Sequence, residues 1–90
     1  MRTFHPDRHE LHGITVVVET DGPEVWVGRC DDLDENAMIL LAADVHREGD
    51  GGLSRAEYLE RAARLGVWAK YERVALPRAR VTSIRLLGQQ

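Results

Sequence analysis

The chain has 90 residues, 12 Lys plus Arg against 15 Asp plus Glu, 43% hydrophobic and 30% charged residues, and a net charge of −3. That length fits one domain with a small core, since such a chain buries only about 60% of its unfolded surface. A single cysteine excludes an intrachain disulfide and points to a cytoplasmic setting; no apolar run reaches the roughly 20 residues of a membrane span, the N-terminal MRTFHPDRHE lacks the apolar segment of a signal peptide, and the composition is too hydrophobic for a disordered polymer.

Residues 1–12 form a polar arm with Pro6, in which Asp7 is placed to cap a short turn running toward Leu11. Residues 13–45 hold three predicted strands. The first is 13–20 (GITVVVET), dense in β-branched residues that favour a pleated surface. Asp21-Gly22-Pro23 is a turn, and 24–30 (EVWVGRC) is the second strand, so the two make an antiparallel hairpin. Gly28 inside that strand predicts a bulge or a close backbone approach. Asp31-Asp32-Leu33-Asp34-Glu35-Asn36 is an acidic turn. The apolar run 37–45 is compatible with a helix (Met38, Leu41, Ala42 and Val45 on one side) or a strand (Met38, Leu40 and Ala42 on one side). The preceding hairpin favours the strand.

Residues 48–52 are a loop. Ser54 followed by Glu57 is a capping box, so the span 53–66 is a helix that Gly66 stops, with Tyr58, Leu59, Ala62 and Ala63 as its apolar stripe. Residues 69–88 supply two last strands, one on each side of Pro77. In the final strand Val81, Ser83, Arg85 and Leu87 alternate with Thr82, Ile84 and Leu86. Five short strands in so small a chain predict a mainly β, closed, SH3-like barrel with one helix inserted between the third and fourth strands.

The net charge is a sum of opposed parts. Residues 1–36 carry three basic and nine acidic residues, a balance of −6; residues 37–90 carry nine basic and six acidic, a balance of +3. One half of a copy is therefore matched to the other half of a neighbour, and the basic end to a polyanion. Trp26, Arg29, Arg78, Arg80 and Arg85 are the candidates for contact with nucleic acid or a protein partner, with Trp68 and Tyr71 as further stacking rings. Both tryptophans lie in apolar stretches, where core or interface packing is the plainer role.

Residues 46–57 have the outline of a calcium loop. Asp50-Gly51 precedes the sharp turn, Leu53 is the apolar position, Glu57 closes the site, and Glu48 supplies a second carboxylate. His46 stands where the first carboxylate is expected, and the same residues also describe a loop entering a capped helix. His5, His9 and His12 would share one helical face and could hold zinc or nickel, but Pro6 and Gly13 interrupt that helix. Catalysis finds no support. Cys30 is the lone thiol, set beside Asp31 and Asp32, a neighbourhood that works against a thiolate nucleophile. Neither a phosphate-binding loop nor a dinucleotide motif is present. The residues imply a non-catalytic module without a cofactor.

The run Leu11-x-Gly13-x-x-Val16-x-Val18-x-x-Asp21-Gly22, then Val27-Gly28-Arg29, Asp34 and Met38-Ile39-Leu40-Leu41, resembles the first motif of Sm-like proteins. Residues 74–84 (VALPRARVTSI) have the spacing of the second motif. The resemblance implies an Sm-like barrel that pairs strands across subunits, and hence a homo-oligomer. It does not carry over the RNA-gripping residues: the family's RNA-reading Asn falls at Met38, and its Arg-Gly pair at Pro77-Arg78. A self-associating binding or scaffolding module is therefore the leading expectation, RNA binding the alternative, and calcium binding at residues 46–57 the second alternative.

Overall fold

A computed structural model describes residues 12–88. The chain runs β1 (Thr15–Thr20), β2 (Glu24–Leu33), β3 (Ala37–Arg47), α1 (Arg55–Leu65), β4 (Tyr71–Pro77) and β5 (Val81–Leu86). The strands form one antiparallel sheet in the order β4-β3-β2-β1-β5. The fold is mainly β with one helix between β3 and β4, as the sequence predicts. The ambiguous run 37–45 is strand. The predicted arm, its turn at Asp7, and His5 and His9 lie outside the described residues.

The sheet is apolar on both sides, which explains the unbroken Val16-Val17-Val18 run. Val16, Val18, Cys30, Met38, Leu40, Ala43 and Leu76 are buried on the inner side, with Trp26, Leu33, Val74, Val81, Ile84 and Leu86 packed against them. On the outer side Val17, Val25 and Val27 pack against Leu59 of α1, flanked by Tyr58, Val67 and Leu87. Each fully buried valine contributes about 1.5–3 kcal/mol. The inserted helix is thus the lid of a second core.

Three bulges bend the sheet and shift its alternation. In β3 the register moves between Val27 and Arg29 of its partner, and Ala42 takes a left-handed φ of 52°. Ala43 therefore occupies the inner place that alternation gives to Ala42. In β2 the extra residue is Asp31, so Cys30 and Leu33 both face inward and the predicted acidic turn at 31–33 is strand instead. In β5 the pairs Glu19–Ser83 and Thr20–Val81 leave Thr82 out, and Val81 joins Ile84 and Leu86 on the inner side rather than Ser83 and Arg85. Each extra residue inverts the faces beyond it.

Gly28 shows both features that its place in a strand suggests. It lies at the first shift, and a Cβ there would come within 2.9 Å of the Ala43 Cβ. The hydrogen-bonded ladder runs from β4 at one end to β5 at the other; the short 3-10 turn Arg78–Arg80 joins these two strands, and Val74 and Leu76 of β4 share the inner core with Val81, Ile84 and Leu86 of β5.

Candidate binding surface

The five candidate residues do not form one patch. Pairing of β5 with β1 brings the basic tail against the acidic first hairpin. Arg85 Nη2 donates to Glu19 Oε2 at 2.7 Å, and Arg55 from α1 reaches the same oxygen at 3.7 Å. Arg80 Nε donates to Asp21 Oδ1 at 2.9 Å, and its Nη2 lies 3.2 Å from Glu24 Oε2. The hydrogen bond to Asp21, then the charge of Glu24, raises the Arg80 guanidinium above its ordinary value. Both cations are thus held by carboxylates of their own chain.

Arg29 and Arg78 are placed differently. Arg29 is exposed on the outer side of β2. Arg78 opens the turn after β4, and its backbone N–H donates to the Asn36 carbonyl at 3.0 Å. The β2–β3 turn and the β4–β5 turn therefore touch. Asp34 holds the first of them, accepting from the Asn36 and Ala37 amides at 2.8 and 2.9 Å. Trp26 is half-buried, with its ring 5.6 Å from that of Tyr71. Trp68 is 76% exposed, in the segment that leaves α1, so of the roles expected for it a place in the chain's own core is not taken.

In the loop at 46–57 the carboxylates serve the backbone. Asp50 accepts from the Arg47 amide at 2.9 Å and Glu48 from the Arg55 amide at 3.3 Å. Ser54 and Glu57 exchange the two bonds of a capping box. His46 is 2% exposed and stacks on Tyr58, centroids 4.5 Å apart. Among the described residues no three His, Cys, Asp or Glu side chains gather as a metal site. His12, exposed, lies 3.5 Å from Asp31.

Sequence reasoning missed the polar junction beneath α1. Asp44 and His46, two apart on β3 beyond the Ala42 bulge, turn to the outer side. Tyr58 donates to Asp44 Oδ2 at 2.9 Å, and the Lys70 ammonium lies 3.6 Å from Oδ1. The only signal in the sequence was a charged residue inside an apolar run.

No protein-family model matches the chain, and no curated protein matches its sequence. Solved structures do. A Pyrococcus abyssii Sm protein in complex with a uridine heptamer superposes with a TM-score of 0.59 at 16% identity, over 87% of this chain and 89% of that one. A chain of the NatC complex bound to CoA gives a TM-score of 0.60 at 18% identity, over 93% of this chain and 88% of that one. The fold is Sm-like. Met38, where the resemblance of the first motif would put the RNA-reading Asn, is fully buried in the inner core. Pro77-Arg78 leads into the turn that meets Asn36. Among the described residues no helix is long and apolar enough to cross a membrane.

Proposed function

We propose that this Sm-like chain is a non-catalytic, cytoplasmic binding or scaffolding module that self-associates edge to edge, with β4 of one copy along β5 of the next. The observation that supports it is the open ladder. β4 and β5 are the two ends of the sheet, of 7 and 6 residues, and among the described residues neither has a strand on its far side. Such edges offer unpaired amides and carbonyls to another chain. Two different edges make a head-to-tail contact, which closes into a ring when the rotation allows. A small core gives self-association a stabilising role as well. Light scattering at tens of micromolar should give a mass of several chains. A monomer at that concentration overturns the reading.

RNA binding is the alternative. It is favoured by the contact of the two turns at Asn36 and Arg78 and by the uridine heptamer carried by the Pyrococcus abyssii protein of the same fold. On this reading Arg78→Ala weakens binding of oligouridine more than of oligoadenosine. Affinities no tighter than about 100 μM at low salt overturn it, since even non-specific contact with a polyanion is ordinarily stronger there.

A further inference from the structure

We propose that the cavity beneath α1 binds a free α-amino acid with an apolar or aromatic side chain, its ammonium on Asp44 and its carboxylate on Arg61. The cavity holds about 330 Å³ and is lined by Asp44 of β3, by Tyr58, Arg61 and Leu65 of α1, and by Val67 and Trp68 of the segment that follows. That is the lower end of the range for small-molecule sites. Among the described residues none from β4 or β5 lines it, so the site stands whether or not copies associate.

The floor of the cavity carries an acceptor with an open position. Asp44 is 8% exposed. Its Oδ2 accepts from the Tyr58 hydroxyl at 2.9 Å, whereas its Oδ1 is buried and receives no hydrogen bond. The ammonium of the half-exposed Lys70 lies 3.6 Å from Oδ1, beyond hydrogen-bond distance. A buried carboxylate oxygen without a donor is costly, so the position favours a ligand that brings one. An ammonium group brings donor and opposite charge together.

Arg61 supplies the opposite charge. It stands one turn after Tyr58 on α1, so the two share a helical face, and the Tyr58 hydroxyl touches Asp44. Arg61 is exposed, and among the described residues no carboxylate lies within ion-pairing distance of it. Its planar fork suits a carboxylate. An anion and a cation thus border one small space, and Leu65, Val67 and Trp68 form its apolar side. Leu65 and Trp68 are largely exposed, an apolar area that a ligand side chain would cover. An apolar amino acid answers all three parts at once. A simple amine leaves Arg61 unused, and a simple carboxylic acid leaves Asp44 unpaired.

Isothermal titration calorimetry of the full chain with L-phenylalanine and L-leucine tests it. Both should bind with dissociation constants below about 1 mM, and glycine about tenfold or more weakly, since it has no side chain to bury. L-phenylalaninamide lacks the carboxylate and hydrocinnamate lacks the ammonium, and each should bind about tenfold or more weakly than L-phenylalanine. Arg61→Gln should bring the affinity for L-phenylalanine down to that for its amide. Trp68→Ala should weaken binding of L-phenylalanine about fivefold, and Asp44→Asn should weaken it about tenfold or more. Arg61 and Trp68 are exposed, so their variants keep the core, and thermal melts separate lost binding from lost fold for Asp44→Asn. The proposal is overturned if neither amino acid binds, if hydrocinnamate binds as tightly as L-phenylalanine, or if Arg61→Gln changes nothing. It is equally overturned if the amide binds as tightly, which would assign the cavity to the amino terminus of a peptide.

Discussion

Gly28 is where a single methyl group decides whether two strands can meet. A Cβ there would lie 2.9 Å from the Ala43 Cβ, 3.1 Å from its Cα and 3.3 Å from the Leu40 Cβ, all on buried residues. Neither neighbour is a flexible chain end, so the backbone must give. Gly28→Ala should cost about 1–3 kcal/mol by overpacking. Adding Ala43→Gly should recover part of the loss, a coupling readable in urea melts as a double-mutant cycle. Tyr58 tests the other side of the sheet. Burial, then its hydrogen bond to Asp44 and the charge of that carboxylate, holds the phenol above its usual 10.0. A raised folded value means the stabilisation is complete below about pH 10 and is lost as pH climbs through the higher folded value. In a Tyr71→Phe protein, whose one tyrosine is Tyr58, tyrosinate absorbance should therefore lag beyond pH 10 and appear with unfolding. A phenol that titrates at its usual value in the folded protein contradicts this junction.

At the scale of elements, α1 was legible because its signals are local. Ser54, Glu57 and Gly66 are adjacent or nearly so in the chain, and each does in the structure what its chemistry suggests. The strands were legible as strands, yet the faces of β3 and β5 were not. A period of two cannot report an inserted residue, and the bulges at Ala42, Asp31 and Thr82 each reverse the side-chain directions of the neighbouring strand segment. That is why Asp44, read in sequence as part of an apolar strand, and His46, read as the first position of a calcium-like loop, became the floor under α1. Of the candidate site, Arg29 was legible as an exposed cation. Arg61 was not singled out, because its nearness to Asp44 runs through Tyr58 and exists only in the fold. Trp68 lies outside the core because apolar neighbours in sequence do not fix burial after a helix stop. The helix also separates two sources of stability. Ser54→Ala should cost about 1 kcal/mol, the worth of one N-cap. Leu59→Ala should cost about 2–5 kcal/mol, because it opens a cavity over Val17, Val25 and Val27. Denaturant melts giving equal losses would mean that α1 is held by its cap rather than by the outer core.

For the whole molecule, the opposed charges of the two halves suggested a contact between copies. The structure instead neutralises much of that opposition within one chain: Glu19 holds Arg55 and Arg85, while Asp21 and Glu24 hold Arg80. The antiparallel pairing of β1 with β5 makes these contacts almost unavoidable, since it lays the acidic end of the first hairpin along the basic tail. Exposed pairs of this kind are worth little each, but they remove the charge that a partner copy would need. On the proposed reading, association of copies would rest on the backbone edges of β4 and β5, whose hydrogen bonds salt barely screens. The assembly's mass by light scattering should be the same at about 0.1 M and about 1 M salt, although the Debye length falls from roughly 10 Å to 3 Å over that range. RNA binding, on the alternative reading, should instead weaken steeply over the same range, because counterion release would drive it. An assembly that dissociates as salt rises would return the contact to the charged halves and rule out the strand edges as its basis.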